Sequence, residues 1–156
     1  MALDRVGYYH RWKRATVGII ISSLGISEKP IFLDTNFLMA IGQMTSLNLT
    51  YELDRVLPGK RELIILEPIL LELKKLNQSG KIKVEKEAEI ALRYIEKECK
   101  IWNTDYDHKN IDFVLLEYGE RYNGIIATND RQLKRLARKK GLLTLFIRNQ
   151  SYLMLE

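Results

Sequence analysis

From Lys29 onward the sequence alternates short, unbroken apolar runs with longer stretches in which apolar residues return every three or four positions. That alternation is the mark of βα units arranged around a mostly parallel sheet. The short runs are Ile31-Phe32-Leu33, Leu63-Ile64-Ile65-Leu66, Ile101-Trp102, Ile125-Ile126-Ala127 and Leu143-Thr144-Leu145-Phe146-Ile147, and they predict about five strands. Helices are predicted near 36–43, 48–57, 68–77, 85–98, 109–122 and 130–140, with breaks at Pro58-Gly59, Ser79-Gly80, Asn123-Gly124 and Gly141. In the fifth of these, Ile111, Val114, Leu115, Tyr118 and Tyr122 fall on one helical face. The 78–86 turn is expected to be the most exposed internal loop. With 156 residues, 46% of them hydrophobic, the chain suits one compact α/β domain over 30–156, preceded by an extension at 1–29. No internal repeat, low-complexity tract or linker interrupts it.

In open α/β sheets the functional crevice lies beyond the carboxyl ends of the strands, so the acids placed there are the first candidates for chemistry. Asp34 directly follows the run Ile31–Leu33 and precedes Thr35-Asn36; Asp130 closes Thr128-Asn129-Asp130 after Ile125–Ala127. Either aspartate also suits a helix N-cap, and position alone leaves both readings open. Asp112 lies in the first turn of the helix leading to the Asp130 strand, where a carboxylate complements the helix dipole. Glu72 interrupts the apolar run Ile69-Leu70-Leu71 one turn into a helix starting at Pro68. There it needs a partner or a solvent-facing cleft, unless it simply belongs to that helix's polar face beside Lys74 and Lys75.

A single cysteine and two histidines exclude a disulfide framework and a Cys/His zinc cluster, which leaves the carboxylates to carry any chemistry. Cys99 ends a predicted helix and reads as a small buried hydrophobe. Two carboxylates about 4 Å apart repel by roughly 4 kcal/mol at an effective dielectric of about 20, so a converging set takes up protons or cations. Oxygen-only ligands select Mg²⁺ or Mn²⁺, the ions of metal-assisted phosphodiester hydrolysis.

The formal charge of +5 is unevenly spread. Residues 1–29 carry five Lys/Arg and two acids, 30–130 carry thirteen and seventeen, and 131–148 carry seven and none. An acidic middle beside a basic end fits an enzyme acting on a polyanion, although charge alone reads first as a solvated helix face. Near the N-terminus, Arg11, Lys13 and Arg14 precede the apolar run Val17–Ile26 in the manner of a signal peptide. The run is too short to cross a bilayer and lacks a small-x-small cleavage site. It is expected to pack on the domain or on a partner, with no membrane association and a cytoplasmic location.

Together these segments resemble the PIN-domain family over roughly residues 30–156. Phe32-Leu33-Asp34-Thr35-Asn36-Phe37-Leu38 is similar to the family's strand-end motif, whose aspartate is a metal ligand. Pro68-Ile69-Leu70-Leu71-Glu72-Leu73 resembles the segment bearing the family's glutamate. Asp112 and Ala127-Thr128-Asn129-Asp130-Arg131-Gln132-Leu133 match its third and fourth acids. The resemblance implies a PIN-like three-layer fold and a single-stranded RNA endonuclease dependent on Mg²⁺ or Mn²⁺. Asp34, Glu72, Asp112 and Asp130 would be the catalytic and metal-binding residues, with Thr128 and Asn36 in support.

Within the family, Glu72-Leu73-Lys74-Lys75-Leu76 and the run 133–141 resemble the ribosomal-RNA-processing branch, as does the ending 147–156, rather than the VapC toxin branch. Arg131, Lys134, Arg135, Arg138, Lys139 and Lys140 would then bind the RNA backbone. A homodimer is expected by the same resemblance, as is a ribosome-assembly factor or, for a VapC-type toxin, an antitoxin as partner. A non-catalytic RNA-binding scaffold is a third reading. A nucleotide-binding doubly wound domain lacks its Gly-rich loop after the first strand. Asp105, Asp107 and His108 lie near Asp112 but read first as loop residues.

Overall fold

The computed structural model describes residues 29–44, 48–105 and 110–156. The extension at 1–28, and with it the apolar run Val17–Ile26, lies outside them, as do Asp107 and His108. Six strands form one sheet: β1 (Ile31–Leu33), β2 (Leu63–Leu66), β3 (Cys99–Trp102), β4 (Ile125–Ala127), β5 (Thr144–Arg148) and β6 (Tyr152–Leu155). Six helices among the described residues flank it: α1 (Thr35–Gln43), α2 (Leu49–Val56), α3 (Glu67–Leu76), α4 (Ile82–Glu98), α5 (Ile111–Arg121) and α6 (Arg131–Lys139).

The strand order is β3-β2-β1-β4-β5-β6, parallel throughout except for the antiparallel β5–β6 pair. The chain therefore builds outward from β1 through β2 to β3, then crosses over to lay β4 on the other side of β1. The strand order reverses between β1 and β4, which opens a crevice at their carboxyl ends. Registers Ile31↔Ile125 and Leu33↔Ala127 bring those two ends level. β1, β2 and β4 are fully buried strands, and their side chains form the centre of one continuous apolar core with Phe37, Leu38, Leu73, Leu115 and Leu133. Each Ile, Leu or Phe side chain of β1, β2 or β4 removed from water contributes about 1.5–3 kcal/mol, which fixes where the adjoining polar residues must emerge.

Helices α1, α3 and α4 pack as one group, and α5 packs with α6. Gly42 lets α1 and α4 approach closely, since a β-carbon there would lie 2.6 Å from the Glu87 carbonyl oxygen. At the far edge of the sheet, Glu52 of α2 is buried and its Oε1 accepts the Leu153 N–H at 3.1 Å. Arg55, paired with Glu52 at 2.6 Å, donates to the Leu153 carbonyl at 2.6 Å.

Four expectations change. The sheet has a sixth strand, β6, reached through a tight turn in which Ser151 N–H bonds to the Arg148 carbonyl at 3.1 Å and Asn149 and Gln150 adopt φ of 52° and 53°. Glycine or asparagine usually occupies such positions; glutamine at the second disguised the hairpin. Helix α4 begins at Ile82, so the 78–86 turn contracts to a short connection. Cys99 starts β3 and is half-buried, with its thiol pushed up to about 12 by burial. Tyr122 caps α5 and is 44% exposed, though its ring lies 4.9 Å from Trp102, centroid to centroid.

Candidate active site

β1 ends in apolar residues that must stay in the core, so the chain turns polar at the next residue, Asp34, at the mouth of the crevice. Asp34 is extended (φ −83°, ψ 157°) and caps α1, its Oδ1 accepting the Thr35 N–H at 2.8 Å. Its Oδ2 accepts the Thr128 hydroxyl at 2.7 Å. Only 6% of Asp34 is exposed, yet each oxygen keeps a lone pair beyond these two bonds.

Thr128 is fully buried at the end of β4. Its backbone N–H bonds to the Leu145 carbonyl at 2.9 Å, while its hydroxyl accepts the Asp130 N–H at 3.1 Å. Asn36 Oδ1 lies 3.2 Å from the same hydroxyl and accepts the Asn129 N–H at 3.0 Å. Asn129 in turn exchanges two bonds with the Ile147 backbone, donating at 3.1 Å and accepting at 3.0 Å. The segment Thr128-Asn129-Asp130 is thereby tied to the ends of both β1 and β5. Asp130 caps α6 through Oδ1, which accepts the N–H groups of Gln132 and Leu133 at 2.7 and 3.0 Å. Both aspartates cap a helix, and capping leaves the site reading open to each, because a cap uses only part of a carboxylate's accepting capacity.

Glu72 reaches the same place from α3. Its Oε2 accepts the Thr35 hydroxyl at 2.6 Å, so its partner is the residue beside Asp34. Asp112 stands in the first turn of α5, whose N-cap Asn110 accepts the Phe113 N–H. Asp34, Asn36, Glu72, Asp112 and Asp130 all line one open cleft of about 660 Å³.

The electrostatics bind these acids into one set. Burial pushes the Asp34 carboxyl up from 3.8 to about 6; the bonds from Thr128 and the Thr35 N–H pull it down, and the charges of Asp112 and Glu72 raise it again. Asp112 is raised by burial and then by the charges of Asp130 and Glu72. Among the described residues no three His, Cys, Asp or Glu side chains are grouped tightly enough to enclose an ion. The donor set nonetheless suits a hard cation of the Mg²⁺ kind, which keeps several waters and takes one or two carboxylates rather than an all-protein cage.

The predicted basic residues all sit on or next to α6, in differing states. Arg138 pairs with Glu156, Lys140 lies 2.5 Å from Glu120, and Lys134 lies over the Phe146 ring at 3.8 Å. Arg131, Arg135 and Lys139 are exposed with no acid partner among the described residues. Asp105 is exposed, 3.5 Å from Arg121, and does not line the cleft. Thr35 and Asn129 escaped the sequence reading: each looks like a capping residue, and their partners lie 37 and 18 positions away.

The profile of the family described as "PIN like domain" matches residues 31–150. The chain belongs to that family. Ribonuclease VapC4 of Methanocaldococcus jannaschii is 33% identical over 121 residues, spanning 76% of this chain and 90% of the relative. The PIN domain endonuclease Utp24 superposes with a TM-score of 0.67 at 25% identity, over 81% of this chain and 90% of the other. A domain of a functionally unknown protein from Methanocaldococcus jannaschii has the same fold, with a TM-score of 0.55 at 19% identity over 77% and 91% of the two chains. The expected PIN-like fold is thus the fold of this chain. Among the described residues no helix is long and apolar enough to cross a membrane.

Proposed function

We propose that this protein is a divalent-metal-dependent endoribonuclease. The observation carrying this reading is the meeting of Asp34, Glu72, Asp112 and Asp130 in one cleft at the strand-order reversal, close enough for their charges to raise two of the carboxyls. The ribonuclease name of the 33% identical relative and the endonuclease name of the superposed structure support it.

The four acids would hold Mg²⁺ or Mn²⁺. When bound, the cation supplies Lewis-acid activation of the attacking water and offsets charge on the departing oxygen. The chain's own part is positional. Thr128 and the Thr35 N–H fix both oxygens of Asp34, and the Thr35 hydroxyl fixes Glu72. The α6 amides hold Oδ1 of Asp130, leaving Oδ2 as its second accepting oxygen. Arg131, Arg135 and Lys139, which no acid among the described residues neutralises, hold the phosphate backbone beside the cleft.

The setting we assign is ribosomal-RNA processing in the cytoplasm, on the strength of the 72–76 and 133–141 segments. Identity with Ribonuclease VapC4 favours a second reading, a toxin ribonuclease restrained by an antitoxin. Asp34→Asn and Asp130→Asn each should lower Mn²⁺-dependent cleavage of single-stranded RNA by more than about 100-fold, the upper cost of losing a residue that merely supports a metal ligand. Folding and RNA binding should persist. Undiminished cleavage by either variant refutes the assignment.

A further inference from the structure

A second concavity, of about 470 Å³, adjoins the acidic cleft and shares Gln43 with it. The end of α1 forms one wall, through Gly42, Gln43 and Met44; α4 forms another, through Lys83, Lys86 and Ile90. Its charge is opposite to that of the cleft. Lys83 and Lys86 are exposed and have no acid partner among the described residues. Glu87 stands four residues after Lys83, the spacing of a helical surface ion pair. It is instead buried under α1, where its Oε2 accepts from Gln43 Nε2 at 3.2 Å. Farther along the same helix Glu89 and Arg93 do form the expected pair, at 2.7 Å. The close approach permitted by Gly42 thus turns Glu87, which also lines the concavity, toward Gln43, and leaves Lys83 and Lys86 without an acid partner among the described residues beside an apolar surface, Met44 and Ile90, the latter 47% exposed.

We propose that this concavity seats the RNA strand on one side of the scissile bond. Lys83 and Lys86 hold phosphates adjacent to the one under attack, Met44 and Ile90 carry a ribose or base, and Gln43 divides the two compartments. The assignment rests on the ribonuclease reading and extends it to a substrate path. A cleft lined by four acids repels a polyanion along its length, so the strand needs cations where it leaves; the helix that starts after Asp130 carries some, and Lys83 and Lys86 line the concavity next to Gln43. Neutralising phosphates releases condensed counterions, so each contact contributes about −0.7 to the salt dependence of single-strand binding.

The test uses the full chain with EDTA and a fluorescein-labelled, mixed-sequence single-stranded RNA, followed by anisotropy across a KCl series. The double variant K83Q/K86Q is expected to bind about tenfold more weakly near physiological salt, with a log–log salt slope shallower by about 1.4. The double variant K83R/K86R should restore the slope. Equal melting temperatures of the three proteins establish that folding is unaffected. Wild-type affinity and slope in K83Q/K86Q overturn the proposal, and Mn²⁺-dependent cleavage by that same variant would show the ribonuclease reading intact. A wild-type chain that neither binds nor cleaves the RNA overturns both.

Discussion

Replacing Asp34 by asparagine should stabilise the metal-free protein, and the size of the gain follows from where that carboxylate sits. Its pKa rises from 3.8 to about 6 on folding, chiefly through burial, which corresponds to about 3 kcal/mol by which the ionised side chain weakens the native state. With 6% exposure, solvent screens little of that. Asparagine keeps Oδ1 as an acceptor for the Thr35 N–H but sets its Nδ2 donor against the Thr128 hydroxyl, which must turn its proton to Asn36 Oδ1, returning about 1 kcal/mol. A net gain of about 2 kcal/mol remains, or about 4–8 °C in Tm for a chain of this length.

The pH dependence has a definite sign. A carboxyl whose pKa is raised on folding contributes stability below its unfolded value, and that contribution is lost as pH rises through the folded value. The melting curves of wild type and Asp34→Asn should therefore separate between about pH 4 and pH 6, with the variant above, and stay apart beyond. Thermal melts in EDTA across that range measure this directly. A variant melting below wild type at about pH 8, or a gap unchanged from about pH 4 to pH 8, would refute the reasoning. Adding Mn²⁺ at about a hundred times its Kd should raise wild type by about 2.7 kcal/mol and the variant by far less.

Other substitutions probe the scaffold of the site. Thr128→Val removes a bond that lowers the Asp34 pKa, so the acid limb of the cleavage pH profile should move to higher pH, while Thr128→Ser should keep it in place; a shift common to both variants would contradict this. Gly42→Ala drives a methyl to 2.6 Å from the Glu87 carbonyl and should cost about 1–3 kcal/mol in urea unfolding, with repositioned helices α1 and α4.

The buried strands and the two acids at their ends were legible because each leaves a local mark: Ile31–Leu33 followed by Asp34, and Ile125–Ala127 followed by Thr128 to Asp130, are contiguous patterns, whereas Glu72 was picked out chiefly by the family resemblance and Asp112 by motif and its place in the first turn of a helix. What ties the acids together left no such mark. Thr35 holding Glu72 and Asn129 holding Ile147 are long-range bonds between residues that also make good caps, so local preference explains them without any partner. Strand β6 was missed for a related reason, since an unusual turn residue, Gln150, hid the reversal that pairs it with β5. The withdrawal of Glu87 depends on the crossing of two helices, and helix spacing alone would have paired it with Lys83.

The grip of Glu52 and Arg55 on Leu153 bears on how copies of this chain associate. An outermost strand displays peptide groups that invite a neighbour's strand to zip on. Here a carboxylate and a guanidinium already occupy the N–H and C=O of Leu153, imitating the peptide unit a newcomer would bring. The flank is blocked at Leu153 by the chain's own side chains, so joining two sheets there through β6 would require displacing the buried Glu52 carboxylate and its Arg55 partner first. Among the described residues the opposite margin, β3, lies open by comparison, with Ile101 exposed.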